Sequence, residues 1–274
     1  MVVNPRALLE RHGIHPSRAL GQNFLHDPGA LQKIVACADI APQETVLEIG
    51  AGTGTLTQAL LGAGAPVIAV ETDARLLPLL RATLPDTPQL RLLHADILTL
   101  DLAALLAPHP WVCVANLPYY ITGAILRHLL QCRHRARCLV LTLQLEVAQR
   151  LVAAPGDLGL LAVSVQFYGQ PRIVGRLRPA AFWPRPEVDS AVIRIDLHPQ
   201  PTLDVPDEAT FFRVLRAGFS QRRKQLRNAL GSGLGMPASA AADLLAAANI
   251  DPRRRAQTLA LEEWAALARA LRDA

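Results

Sequence analysis

The sequence has 274 residues, 51% of them hydrophobic, so it can form a large core in one or two domains. Its formal net charge of +5 suits a polyanionic partner without identifying one. No run of about 18 uncharged apolar residues occurs, and the first residues lack an apolar signal segment, so we expect a cytoplasmic protein without a membrane span. The four cysteines lack C-x-x-C spacing, which predicts reduced thiols and no metal site.

Short β-branched segments alternate with helical segments over much of the chain. Strands are predicted at 45–49, 66–70, 90–94, 111–115, 139–143 and 188–195. This alternation predicts an α/β fold in which helices cover a mostly parallel sheet. A further strand at 172–177 is joined to the last one by a short proline-rich connection, so we expect an antiparallel terminal hairpin.

A proline-containing break at 198–201 separates this region from a C-terminal part that is predicted to be helical. Most of the excess positive charge lies in this last quarter of the chain. We therefore predict two domains. The first covers 1–200 and includes a distinct N-terminal segment at 1–40, and the second is a small, basic, all-α domain at 205–274.

A glycine-rich loop follows the first predicted strand of the sheet. Gly50, Gly52 and Gly54 form a G-x-G-x-G pattern that opens a helical segment. Glycines allow a tight turn and let a ligand approach the backbone closely. The pattern differs from the G-x-G-x-x-G of dinucleotide binders. A purely structural strand-to-helix turn remains an open interpretation of the loop alone.

Two acidic residues are predicted to lie on the same edge of the sheet as this loop. Glu71 follows the second strand and Asp96 follows the third, and ligands of open α/β sheets bind at the carboxyl ends of the strands. A carboxylate can accept hydrogen bonds from a ribose diol or from an exocyclic amine. The order of loop and acids resembles that of methyltransferases with a Rossmann-like sheet, which predicts S-adenosylmethionine as the cofactor. Asp96 could also be only a helix cap.

Asn116-Leu117-Pro118-Tyr119 follows the fourth strand and suits methylation of an aromatic amine. The N6 lone pair of adenine is delocalised into the ring, and it becomes localised when Asn116 and the Leu117 carbonyl accept the two N6 hydrogens. Pro118 stiffens the turn, and Tyr119 offers a face for base stacking. These four residues are therefore predicted to be catalytic. The alternative is a turn with buried tyrosines.

Phe182 lies in a second aromatic and proline-rich segment, and an extruded base needs a stacking partner on each side. We therefore add Phe182 to the predicted catalytic residues, opposite Tyr119. An equally open interpretation is that Phe182 fills the space inside the predicted hairpin.

A basic helix is predicted at 211–230 in the C-terminal domain. At about 100° per residue its apolar side chains share one face and most of its cations lie beside them, although Arg222 lies nearer the apolar side. An almost acid-free stripe suits an RNA backbone, while an ordinary solvated face is the alternative. The predicted RNA-binding residues are Arg216, Arg222, Arg223, Lys224 and Arg227.

Over nearly its whole length the chain resembles the ribosomal RNA adenine N6-dimethyltransferase family, and most of all its KsgA/RsmA branch. The segments that carry the resemblance follow in the family's order, at 20–25, 48–54, 71, 96–98, 116–121, 144–150, 182–192 and 219–228. Two positions depart from the usual pattern, because Ala162 replaces a common serine and Gln257 replaces a common glutamate.

This resemblance implies dimethylation of two adjacent adenines near the 3′ end of small-subunit ribosomal RNA. The enzyme would act on an immature small ribosomal subunit, as a monomer, with its N-terminal segment facing cofactor and RNA. The resemblance implies cofactor contacts at Asn23, Leu25, Gly50, Glu71, Asp96 and Asn116. We add Gly52, the second glycine of the loop, to these predicted cofactor-binding residues.

Two other functions remain possible at this stage. A large-subunit dimethylase of the same family would confer antibiotic resistance, and the basic helical tail favours the small-subunit function over it. A methyltransferase-fold factor for ribosome assembly or transcription would depend on binding more than on catalysis. The intact Asn-Leu-Pro-Tyr motif argues against a purely structural role.

Overall fold

The computed structural model describes residues 4–200 and 202–273. The strands in this part are β1 Phe24–Leu25, β2 Thr45–Ile49, β3 Val67–Glu71, β4 Leu90–His94, β5 Trp111–Asn116, β6 Cys138–Gln144, β7 Gly169–Leu177, β8 Phe182–Trp183 and β9 Ser190–Leu197. The helices are α1 Pro5–Arg11, α2 Pro28–Ala38, α3 Thr55–Gly62, α4 Leu77–Thr83, α5 Leu102–Leu106, α6 Thr122–Leu130, α7 Leu145–Leu151, α8 Leu160–Tyr168, α9 Glu208–Phe219, α10 Leu226–Leu234, α11 Ala238–Ala247 and α12 Leu261–Asp273.

The main sheet has seven strands in the order β4-β3-β2-β5-β6-β9-β7. The pairs β3–β4, β2–β3, β2–β5 and β5–β6 are parallel, whereas β9 runs antiparallel to β6. The central strand β5 is buried along Trp111–Ala115, as expected for a parallel strand covered on both faces. This confirms the predicted α/β fold with an antiparallel strand near one edge.

Contacts divide the chain into two compact units. The first consists of residues up to Ala148 together with Pro171–Pro199, and it contains most of the main sheet. The second consists of Gln149–Gln170 and the residues from Gln200 onward, and it includes α8 and the helices α9 to α12. Its core contains stacked aromatic rings, with Phe167 and Phe211 4.5 Å apart between ring centroids. The division at about residue 200 that the sequence predicts remains a proposal.

The predicted single helix at 211–230 is wrong. Helix α9 ends at Phe219, the chain turns through 220–225, and α10 begins at Leu226. The backbone N–H groups of Leu226 and Arg227 donate to the carbonyls of Arg254 and Pro252, at 2.7 and 3.3 Å. Long-range contacts therefore hold the start of α10, and helical periodicity in the sequence does not reveal them.

Candidate active site

A pocket of about 800 Å³, counting the part open to solvent, lies in the first unit at the carboxyl ends of the parallel strands. It brings together nearly all of the residues that the sequence marks for cofactor and chemistry. Predicted residues that line it are Asn23, Gly50, Gly52, Glu71, Asp96, Asn116, Leu117, Pro118 and Tyr119.

The glycine loop forms one wall of this pocket. Gly50, Gly52 and Gly54 have φ angles of +77°, +58° and +78°, in a region that other residues rarely adopt. The Gly50 N–H donates to the Val70 carbonyl at 2.8 Å, which anchors the loop to β3. The turn therefore requires glycine for structural reasons, and it also presents bare backbone to the pocket.

Glu71 has a carboxylate that the backbone holds in place. Its Oε2 accepts from the Gly52 N–H and its Oε1 accepts from the Asp73 N–H, both at 2.8 Å. Burial raises the pKa of Glu71, and these hydrogen bonds oppose the rise. Each carboxylate oxygen has two lone pairs, so the group can still accept from a ligand.

Asp96 is exposed and lines the same pocket as Glu71. Its Oδ1 accepts from the Leu98 N–H at 3.0 Å and caps a short 3-10 helix, Ile97–Thr99. Asp96 is therefore a helix cap, as the alternative interpretation of the sequence had it. Among the described residues no group donates to Oδ2, which leaves this oxygen for a ligand.

Asn116 ends β5 with its amide orientation fixed. Its Nδ2 donates to the Asn23 carbonyl at 2.8 Å, and because that carbonyl can only accept, the amide nitrogen must face it. The side-chain Oδ1 is left as an acceptor. The Leu117 N–H donates to the Thr142 carbonyl at 3.0 Å, while within the described chain no hydrogen bond is donated to the Leu117 carbonyl.

Tyr119 follows Pro118 and is half-buried at the side of the pocket. Its phenol oxygen lies 2.7 Å from the Ser190 hydroxyl. Burial raises the pKa of Tyr119, and the hydrogen bond to Ser190 partly offsets the rise. Tyr119 is therefore a neutral phenol whose ring is tied to β9.

Leu25 and Phe182 lie outside the pocket lining. They face each other in the two-stranded sheet of β1 and β8, and both belong to the hydrophobic core of the first unit. Phe182 is only 1% exposed, which is the arrangement expected if its ring fills the space inside the hairpin. A stacking role for Phe182 and a cofactor contact for Leu25 stay predictions.

Gln22 is a pocket residue that the sequence analysis did not single out. Its Oε1 accepts from the Ser17 N–H and its Nε2 donates to Asp73 Oδ2, both at 2.8 Å. The Arg75 side chain, with burial opposing it, lowers the pKa of Asp73 to about 2. Gln22 thus ties the N-terminal segment to the turn after Glu71. Its only sequence signal was its place inside the 20–25 motif.

Glu48 lies in β2, two residues before the loop, and is completely buried. In the described structure neither of its carboxylate oxygens has a hydrogen-bond partner. Burial is the main cause that raises the pKa of Glu48, to about 8. The carboxyl group is therefore neutral at pH 7. It was part of the loop motif in the sequence, but nothing there distinguished a neutral carboxyl from a charged one.

The predicted RNA-binding cations are all exposed in the second unit. Arg216 lies on α9, Arg227 lies in the first turn of α10, and the other three occupy the turn that connects these helices. Across residues 4–200 and 202–273, no helix is long and apolar enough to cross a membrane, and no three His, Cys, Asp or Glu side chains form a metal-binding group.

The ribosomal RNA adenine dimethylase family model matches residues 15–267. The chain belongs to this family. Among dimethylases of known name, ribosomal RNA small subunit methyltransferase A from Moorella thermoacetica is 45% identical, and the match covers 97% of this chain and 96% of the relative. The protein of the same name from Dehalococcoides mccartyi is 43% identical over 96% of this chain and 91% of the relative.

Two solved structures show the same fold in related enzymes. A dimethyladenosine transferase from Plasmodium falciparum superposes with a TM-score of 0.75 at 25% identity, covering 89% of this dimethylase and 95% of the other chain. The 23S rRNA methyltransferase ErmE superposes with a TM-score of 0.70 at 27% identity, covering 91% and 100%. This chain is therefore a ribosomal RNA adenine dimethyltransferase with the expected methyltransferase fold.

Proposed function

We propose that this enzyme dimethylates N6 of two adjacent adenines near the 3′ end of small-subunit ribosomal RNA, acting as a monomer on an immature small ribosomal subunit. Relatives named small subunit methyltransferase A, which match almost the full chain at 43% and 45% identity, support the choice of subunit. The observation that carries the chemistry is the Asn116 amide, which the Asn23 carbonyl orients so that Oδ1 remains an acceptor.

The pocket fits S-adenosylmethionine as the methyl donor. Glu71 holds a fixed carboxylate suited to a ribose diol, and Asp96 has one oxygen left for an adenine amine. Gly50 and Gly52 present bare backbone beside them. When bound, the cofactor supplies an electrophilic methyl group on a sulfonium. Leu25 would contribute through its backbone, because its side chain is in the core.

The chain's own residues activate the amine by positioning. Asn116 Oδ1 and the Leu117 carbonyl accept the two N6 hydrogens, which localises the lone pair that attacks. The Tyr119 ring, held by Ser190, supports the base by stacking. Preorganised acceptors of this kind stabilise the transition state without a general base, because the alkylated amine loses its proton readily.

The exposed cations of the second unit bind the RNA backbone. Arg216, Arg222, Arg223, Lys224 and Arg227 carry positive charge on α9, the following turn and α10. Phosphate contacts of this kind supply affinity and orientation, while the pocket supplies the choice of base.

The test is methylation of purified ribosomal subunits. Small and large subunits that lack adenine dimethylation are incubated separately with the enzyme and labelled S-adenosylmethionine, and the modified bases are mapped. We expect label on two adjacent adenines of the small-subunit RNA only. Label on the large subunit would overturn this proposal in favour of methylation of 23S rRNA, the activity that the name of ErmE states. Specific subunit binding without label would identify an assembly factor.

A further inference from the structure

Tyr120 is a large aromatic side chain left 60% exposed beside the active site. It follows Tyr119 directly and lines the same pocket. Its hydroxyl makes no hydrogen bond within the described part of the chain. A single exposed aromatic side chain is ordinary on a protein surface, so the significance of Tyr120 lies in its place, on the lining of the pocket beside the predicted base-stacking residue Tyr119.

The Tyr120 ring rests on a turn of the N-terminal segment. Gly21, with a φ of +59°, has no side chain, and a Cβ at that position would lie 3.3 Å from the Tyr120 Cδ1 and 3.7 Å from the Pro118 Cβ. The Gly21 N–H donates to the Arg18 carbonyl at 3.0 Å, and the Gln22 N–H donates to the Ser17 carbonyl at 3.2 Å. A hydrogen-bonded turn of bare backbone therefore supports the ring.

The two consecutive tyrosines stand in different environments. Tyr119 is half-buried and bonded to Ser190, as suits a ring that holds a base inside the pocket. Tyr120 is at the mouth, with most of its surface in water. When the target base leaves its stack for the pocket, the neighbouring base loses a stacking partner. That neighbour is an aromatic surface that an exposed tyrosine can cover.

We propose that Tyr120 is a stacking platform for the nucleobase next to the target adenine, a role that rests on the proposed function. Stacking on an aromatic ring tolerates any base, so the platform serves equally when either of two adjacent adenines is the target. Arg18, exposed in the supporting turn, adds a cation on the same segment for the phosphate that joins the two nucleotides.

The experiment uses the enzyme with S-adenosylhomocysteine and immature small ribosomal subunits reconstituted with an RNA in which one adenine of the pair is replaced by 2-aminopurine. The probe lacks the N6 amine, so the remaining adenine is the target and the probe reports the neighbour. Stacking quenches its fluorescence. We expect quenching with the parent and with Tyr120→Phe, which keeps the ring. Tyr120→Leu, which fills space without an aromatic face, should lose the quenching and bind about tenfold more weakly.

Gly21→Ala is a second variant, because its Cβ would lie 3.3 Å from the Tyr120 Cδ1, closer than an ordinary contact, and the φ of +59° would strain the turn that supports the ring. It should reduce the quenching as well, whereas Val152→Ala, at another exposed apolar position, should not. Thermal melting verifies the fold of each variant. Undiminished quenching with Tyr120→Leu would overturn the platform. If the parent fails to methylate immature small ribosomal subunits that carry the unmodified RNA, the proposed function fails, and this outcome is read from the methylation assay, separately from the quenching that tests the platform.

Discussion

The phenol oxygen of Tyr119 lies 2.7 Å from the hydroxyl oxygen of Ser190, the first residue of β9. Ser190 is fully buried and pairs with Gln144 across the antiparallel β6–β9 ladder. The bond therefore ties the turn after β5 to the antiparallel strand near the edge of the sheet. It limits the rotation of the Tyr119 ring about its side-chain bonds.

If this bond positions the ring, Ser190→Ala should slow methyl transfer by about tenfold, the equivalent of a hydrogen bond of about 1.4 kcal/mol. Tyr119→Phe should have a similar effect, and the double variant should be no slower than either single one. Single-turnover rates measure this, and melting temperatures control for folding. Additive losses in the double variant would mean that the two hydroxyl groups act independently.

Asn116→Ala should bind RNA and keep the fold but lose most of the methyl transfer. Removing one preorganised acceptor costs about 3–4 kcal/mol of transition-state stabilisation, or two to three decades in rate. Tyr119→Ala should instead accumulate monomethyl product, because after the first transfer N6 keeps one hydrogen and depends more on stacking. Mass spectrometry of digested RNA separates the products. Parental rates for Asn116→Ala would show that another group activates the amine.

Asp96→Ala should weaken S-adenosylmethionine binding by about 1–3 kcal/mol through the loss of one charged acceptor. Glu71→Ala should weaken it further and also destabilise the loop, since it leaves the Gly52 and Asp73 N–H groups without their acceptor. Calorimetry gives the affinities, and thermal melting separates the structural part. Unchanged affinity for S-adenosylmethionine in both variants would contradict the cofactor-binding roles of Asp96 and Glu71.

Replacing Arg223 and Arg227 together with alanine should weaken RNA binding and reduce the slope of log affinity against log salt by about one to two. The matched control replaces Arg81 and Arg91, two exposed arginines of the first unit. Binding titrations over a range of salt concentrations compare the two pairs. Equal slopes in parent and test variant would identify an ordinary solvated surface.

Glu48 should make stability depend on pH. Its pKa is raised from 4.5 to about 8 on folding, so between these values the folded state keeps a proton that the unfolded state releases. Stability from this group is complete below 4.5 and is lost as the pH rises through about 8. The Glu48→Gln variant should therefore show a weaker dependence of the free energy of unfolding on pH, by up to about 1.4 kcal/mol per pH unit between these two values. Denaturant unfolding of parent and variant measures it, and identical slopes would contradict a neutral Glu48.

The sequence predicts the part of the site that depends on local pattern. Gly50, Glu71, Asp96 and Asn116 each lie at or just after the carboxyl end of a strand, and parallel strands bring these ends to one edge, so their meeting follows from topology. The strands themselves were recognisable because short apolar segments, most of them containing β-branched residues, alternate with helical ones. The predicted strand starts lie within three residues of the observed ones.

Contacts between distant segments were not predictable in this way. The turn at 220–225 interrupts a continuous helical pattern because the start of α10 bonds to the 252–254 backbone. The pairing of β8 with β1, which places the Phe182 side chain in the core, is another contact between distant segments that the local sequence does not reveal. The bond from Asn116 to the Asn23 carbonyl depends on where the N-terminal segment returns, and no spacing encodes that.

The wide separation of the site's partners along the chain has a consequence for synthesis. Asn23 meets Asn116 across 93 residues, and Tyr119 meets Ser190 across 71. The chain emerges from the ribosome N-terminus first, so the turn that contains Asn116 and Tyr119 emerges long before β9, whose Ser190 holds the tyrosine. The site is therefore completed only when about two thirds of the protein has left the ribosome, and a nascent chain that stops earlier has the motif without its support.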